Sequence, residues 1–488
     1  QADANLILAE FDEGVDVTVV LDKSFLLTSS DAGNEMAVFS ARGPAPIPDI
    51  LKPDLTAPGV NILAGFSPDS AFSTPGENFA YLSGTSMSTP HIAGVAALLR
   101  QAHPEWPPSA IKSALMTTAR QDITSSNGLG NANPLDFGAG HIVPNTALNP
   151  GLVYEISNDE FDAYLADMSA EARNLNLPSI AMSKLANSQT VTRRVTNVSD
   201  EAGAYTVEIS PPPGMGITVD PNSISLAPGQ STTFNVTVDY QSGPLDLWRY
   251  GSFTWRSEAH DVFSPIAVKP TSILADAEIT TFGGSGSLDF EVEFGYSGSY
   301  SPQVHGLNLP LILNGFVDND PTKTFTFRSN AGVTQHVISV PANQLYARFA
   351  LFDALTDGDD DLDMYVYYCG ITGESCSKLG ESGEPTSQER FDIYQPAEGL
   401  YAVLVHGFAT DELQGGPGSN YQLLGWAIGI TDDKGNMTAS GPAFVNAGTT
   451  GTVTVDWAGL GPNTIYLGGV SHNTPQGRSA LTLITIGN

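Results

Sequence analysis

Helix-forming sequence is confined to the first third of this chain. From about residue 172 onward it reads as short alternating apolar and polar runs cut by Pro- and Gly-rich turns. Residues 190–198, 204–209 and 231–238 alternate in this way, divided by Pro211-Pro212-Pro213-Gly214 and Pro228-Gly229-Gln230. A strand with one apolar face must bury it against a second sheet, so this stretch predicts a β-sandwich of about one hundred residues. Further strand-like runs follow at 288–294, 324–327, 347–352, 363–368, 401–406, 450–457 and 481–486. No short solenoid repeat is evident.

The first third is different. Residues 86–102 predict a helix that is apolar nearly all round (Ile92, Val95, Ala96, Leu98, Leu99) and therefore buried. His103-Pro104-Glu105-Trp106-Pro107-Pro108 ends it, and Ile111, Ala114, Leu115 and Thr118 keep helical spacing in the next, with Pro108 in its first turn. A capping box, Ser157-x-x-Glu160, opens a third helix carrying Phe161, Tyr164, Leu165 and Met168. With β-like runs at 16–22 and 35–39, the region reads as α/β.

At 488 residues the chain is too long for one core. Its net charge of -33 repels phosphate backbones and anionic headgroups, which argues against nucleic-acid or membrane partners and suits a secreted protein. No segment approaches the ~20 apolar residues of a membrane span. Residues 1–5 are not a signal peptide, and the chain reads as processed or truncated there. Cys369 and Cys376 flank a short Gly-containing loop, either as a disulfide at a hairpin tip, worth roughly 2.5 kcal/mol, or as two free thiols.

Gly84-Thr85-Ser86-Met87-Ser88-Thr89-Pro90-His91 places a serine at the mouth of the first helix. Free backbone N–H groups and the positive end of the helix dipole converge there on an incoming carbonyl oxygen. Around it, Phe39-Ser40-Ala41-Arg42-Gly43-Pro44, the run from Lys52 to Val60, Ala110 to Ala119, Asp136 to His141 and Asn149 to Tyr154 follow in one order. Together these blocks resemble the C-terminal half of a subtilisin-family serine protease. The resemblance implies an α/β catalytic portion, a parallel sheet with helices, followed by all-β sandwich domains. It also implies that Ser86 is the nucleophile of a secreted, extracellular endopeptidase. Such an enzyme hydrolyses protein or peptide substrates through an acyl-enzyme, with a His as base and an Asp to orient it. No cofactor is implied, and the protein is expected to be monomeric.

The sequence also departs from that family. No Asp-Thr/Ser-Gly or His-Gly-Thr-His block precedes Ser86, and the first histidine is His91, within the nucleophile motif itself. His91 reads as a packed helix histidine rather than the base, and His103 and His141 have no better claim. Residues 1–22 resemble the tail of a protease-associated domain, which the family inserts between the catalytic His and Ser. The chain is thus expected to be a fragment, inactive alone. The expected division is 1–35 as that insert's tail, 36–171 as the catalytic portion and 172–271 as a fibronectin type III-like sandwich. Residues 272–434 follow as a sandwich resembling pre-peptidase C-terminal domains, and 435–488 as a C-terminal β module. The alternative is a non-catalytic extracellular binding or adhesion protein with a decayed protease remnant.

The run from Asp357 to Asp363 offers alternating carboxylates of the kind calcium takes, but Leu362 and Tyr368 stand where an EF-hand needs Gly and Glu. A solvated acidic turn is the preferred reading. Trp248, Tyr250 and Trp255 are expected to pack in a core rather than bind a polymer.

Overall fold

The computed structural model describes residues 33–45, 49–69, 76–126, 130–166, 172–327, 332–410 and 418–487. The run expected at 16–22, and nearly all of the 1–35 block, lies outside them. The described chain is mostly β and multidomain.

Two helices dominate its first part, α1 (Thr85–Ala102) and α2 (Pro108–Thr117). His103 caps α1 by donating its N–H to the Leu99 carbonyl, and its ring stacks 3.8 Å from Trp106, which turns the chain into α2. Pro108 opens α2, where its missing N–H costs nothing. The two helices share a core of Leu99, Trp106, Ala110, Ile111, Ala114 and Leu115. Most of α2 is buried, but Leu99 alone is buried in α1, and Leu98 is 62% exposed. The helix is apolar on all sides, as expected, yet only the side bearing Ile92, Val95, Ala96 and Leu99 packs into the shared core.

Strand pairing here is sparse. β1 (Ile62–Gly65) and β2 (Phe79–Leu82) form an antiparallel hairpin, and isolated parallel bridges join Glu35 to Thr124 and Thr56 to His141. Among the described residues no parallel sheet carries α1 and α2. The run at 35–39 is not a strand: Met36 instead packs with Ile123, Ala132 and Phe137.

β3 (Leu152–Val153) joins this region to the sandwich that follows by pairing with the strand Ser188–Asn197. That sandwich comprises β4 (Ile180–Leu185), β5 (Ser188–Asn197), β6 (Gly203–Ser210), β7 (Met215–Asp220), β8 (Ser223–Leu226), β9 (Ser231–Tyr240), β10 (Arg249–Arg256) and β11 (Asp261–Pro270). One sheet runs β3-β5-β9-β7 and the other β4-β11-β10-β6-β8. Alternation sends Phe234, Phe253 and Trp255 inward, Phe234 meeting Trp255 edge-on at 5.1 Å. Tyr154, just past β3, enters the same core and bonds Ser264 at 2.9 Å. Trp248 and Tyr250 pack against Leu51 of the first region.

The rest is one sandwich nested inside another. Ile273–Ala275, Gly286–Phe294, Thr449–Trp457 and Met437–Ser440 form one outer sheet, and Glu278–Phe282, Gly477–Gly487, Ile465–Thr474 and Ser301–Asn308 the other. Between them the chain builds Leu311–Asp318, Gly418–Gly429, Gln344–Ala350 and Arg390–Tyr394 into one sheet. Val333–Val340, Gly399–Ala409, Asp361–Tyr368 and Ser377–Ser382 form its partner. Strand pairing therefore runs across the expected boundary at 434/435, because Gly286–Phe294 pairs on one side with Ile273–Ala275 and on the other with Thr449–Trp457. Residues 324–327 are irregular rather than a strand, since Phe325 and Phe327 lie over Tyr365 and Tyr367 at 3.6 and 4.3 Å. Cys369 and Cys376 form the disulfide.

The nested sandwiches are clamped by charge. Arg348 donates to both oxygens of Glu278, at 2.7 and 2.8 Å, and to Asp392 at 2.8 Å. Burial alone raises the Glu278 pKa, but the Arg348 hydrogen bonds and the Thr485 hydroxyl outweigh it and hold the carboxyl at about 2.

Candidate active site

Ser86 is delivered by two stretches of chain closed by the β1–β2 hairpin. At its base the Gly84 N–H donates to the Gly59 carbonyl at 2.8 Å, and the Asn61 N–H to Ser83 Oγ at 2.8 Å. Gly59 has to be small, for a Cβ there would collide with Ser88 Oγ and lie 3.0 Å from the Gly84 carbonyl. The Gly59 loop is in turn stitched to the segment from Gly138 to Ile142, with Thr56 N–H donating to Gly140 O at 2.8 Å and Ile142 N–H to Thr56 O at 3.0 Å. Gly138 has φ 69°, and a Cβ on it would run into the Pro53 carbonyl. Arg42 pairs with Asp136 at 3.0 Å, and Lys112 on α2 with Asp54 at 2.9 Å. These segments thus act as scaffolding around the mouth of α1.

At that mouth Ser86 is the second helical residue, so its N–H has no intrahelical acceptor. Pro90, four residues on, has no N–H to give the Ser86 carbonyl. Ser86 is exposed, and its hydroxyl has no hydrogen-bond partner among the described residues. The arrangement offers a hydroxyl and an open N–H to solvent at the positive end of an 18-residue helix.

None of the nearby histidines is arranged to serve it. His91 lies about 140° around the helix from Ser86, with Nδ1 donating to the Met87 carbonyl at 2.8 Å. His103 bonds the Leu148 carbonyl through Nε2 at 2.8 Å. His141 sits against Thr56, its pKa lowered by burial first and by Arg120 second.

The same residues carry a sequence likeness. Residues 14–140 match the subtilase family, and residues 174–268 match a fibronectin type-III domain. The chain carries a subtilase segment joined to a type-III domain. Among curated proteins, it is 38% identical over 295 residues to the subtilisin-like protease SBT3.9 of Arabidopsis thaliana, covering 52% of this chain and 37% of that protein. It is 39% identical over 274 residues to SBT2.5 of the same plant, covering 48% and 33%. The chain thus spans about a third of the length of these relatives. Superposition on tripeptidyl peptidase 2 covers 80% of this chain and 29% of that one at 12% identity, and a TM-score of 0.25 is too low to bear on the fold.

Outside the subtilase segment, the acidic run at 357–363 is engaged by neighbouring groups. Asp357 accepts from the Asn420 N–H at 2.8 Å and from Ser419, while Asp360 accepts from Ser419 at 2.5 Å. Among the described residues no group of three or more His, Cys, Asp or Glu is arranged to hold a metal. No described helix is long and apolar enough to cross a membrane.

A polar cluster in the inserted sandwich was not foreseen. His406 bridges Asp320 (2.9 Å) and Asp363 (3.2 Å), and Glu389 is buried nearby. Burial lowers the His406 pKa, but hydrogen bonds to Asp363 and Asp320 raise it on balance. Burial pushes Glu389 up to about 7. The four residues are scattered over 87 positions, from 320 to 406, with no motif to signal them.

Proposed function

We propose that this chain is the serine-bearing portion of a secreted, subtilisin-type serine endopeptidase that works as a monomer and takes protein or peptide substrates. Ser86 Oγ attacks the scissile carbonyl carbon and its proton passes to a base, which hands it to the departing nitrogen as the C–N bond breaks and the acyl-enzyme forms. The acyl group is then hydrolysed by water. The Ser86 N–H and the positive end of α1 stabilise the oxyanion, worth about 3–4 kcal/mol for a well-placed donor. The observation that carries this reading is an exposed, unpartnered Ser86 hydroxyl on an open first turn, amid scaffolding that matches the subtilase blocks.

The base and its orienting Asp are proposed to come from polypeptide outside this sequence. Two observations support that. The histidines at 91 and 103 are tied to backbone carbonyls, and α1 exposes apolar surface that a completed catalytic domain, with its parallel sheet, would cover. The chain alone is then expected to be inactive.

The test is hydrolysis of a fluorogenic peptide by the protein extended upstream to include such a base. The extended protein is expected to cleave it, and Ser86→Ala to lower kcat by roughly 10⁶. An extended protein that folds and does not cleave, or whose Ser86→Ala variant cleaves as well, would sink the reading and favour a binding protein with a protease remnant.

A further inference from the structure

Cations line four clefts of the described surface, and in three of them they are engaged. Arg256 pairs with Glu208 and Asp261 between the subtilase segment and the type-III domain. Lys112 pairs with Asp54 beside α1 and α2, and Lys434 with Asp432 where the nested sandwiches diverge. The fourth cleft, about 310 Å³, lies where the type-III, outer and inserted sandwiches meet. Lys184 and Arg478 line it, and no Asp or Glu does. Neither cation has an ion-pair or side-chain hydrogen-bond partner among the described residues. In a chain with 53 Asp and Glu and 20 Lys and Arg, two unengaged cations on a cleft that no carboxylate lines suit an anion from outside.

The remaining lining narrows that anion's chemistry. Leu481 and Ala277 give an apolar wall, and Tyr394 stands 58% exposed beside them. Gln395 is held at φ 49°, a left-handed conformation unusual for a side chain of its size, with its N–H bonded to Leu345 O. Its own amide is uncommitted among the described residues. An outlier of this kind at a cleft wall motivates a binding role. The walls are preformed, because Arg348 and Glu278 fix the inserted sandwich to the outer one and Asn187 Nδ2 donates to Gly448 O at 3.1 Å from the type-III domain. The volume is at the small end of ligand sites and fits about two residues.

We propose that this cleft binds the carboxylate end of an apolar peptide. The carboxylate pairs with Lys184 and Arg478, the terminal side chain rests on Leu481 and Tyr394, and the preceding peptide group bonds Gln395. The proposal is independent of Ser86, and its test reads binding rather than hydrolysis.

Saturation-transfer NMR on the full chain with N-acetyl-Leu-Leu, its C-terminal amide and octanoate supplies that test. The free acid is expected to bind at least tenfold more tightly than the amide and than octanoate. Because both cations are exposed, a Lys184→Gln/Arg478→Gln variant should fold, as circular dichroism would report, and should lose at least tenfold in affinity for the free acid. Equal binding of acid and amide, undiminished binding by the double variant, or octanoate binding as tightly as the peptide would each overturn the proposal.

Discussion

At the scale of single residues, the account rests on where polar groups find partners. Ser86, the proposed nucleophile, has none among the described residues, whereas His91 and His103 are occupied by the backbone. Glu389 shows the opposite situation, a carboxyl buried to 1% exposure in the inserted sandwich. Its pKa is raised from 4.5 to about 7, so the folded state holds its proton more tightly than the unfolded chain. Its contribution favours folding below about pH 4.5 and turns into a penalty on the order of 3 kcal/mol as pH rises through 7. Glu389→Gln is therefore expected to slow hydrogen exchange in the strand Asp361–Tyr368 strongly at pH 8 and much less at pH 5. A slowing of equal size at both pH values would contradict the assignment. The subtilase likeness around Ser86 was legible beforehand because its motif is contiguous. The Asp320–His406–Asp363 cluster and Glu389 were not, because folding assembles them from separate strands.

At the scale of elements, α2 is the hinge pin of the first half. It packs against α1, against β3 and against β11 of the type-III domain, and Ser113 Oγ accepts the Tyr154 N–H at 2.8 Å. Leu115 is 3% exposed in that junction. Leu115→Ala should cost about 2–5 kcal/mol by transfer and cavity terms. The measurement is hydrogen exchange at 152–154 together with the α2 amides: both should lose protection together, and loss confined to α2 would contradict a shared core. Both helices and the type-III strands were readable from period and turn chemistry. The nesting of the last two sandwiches was not, because an alternating strand carries no mark of which distant strand it will pair with. Nor was the exposure of α1, since an all-apolar helix says that it needs cover without saying what supplies it.

At the scale of the whole molecule, the charge of -33 sets the solution behaviour. Like charges at this density oppose compaction, and raising salt from about 0.1 M to about 1 M shortens the Debye length from about 10 Å to about 3 Å. The midpoint of thermal unfolding is expected to rise with NaCl over that range, and a flat or falling midpoint would show that local ion pairs such as Arg348–Glu278 outweigh the net repulsion. The same scale frames the catalytic question, since a presented nucleophile is only one part of a serine protease. A fluorophosphonate probe reads that most directly, because it reacts with an activated serine and not with an ordinary helix-cap hydroxyl. The probe should label Ser86 rapidly in a protein extended upstream to include the base, and label this chain no faster than its Ser86→Ala variant. Labelling of this chain at the rate of an intact serine protease would contradict the claim that Ser86 here is presented without its base.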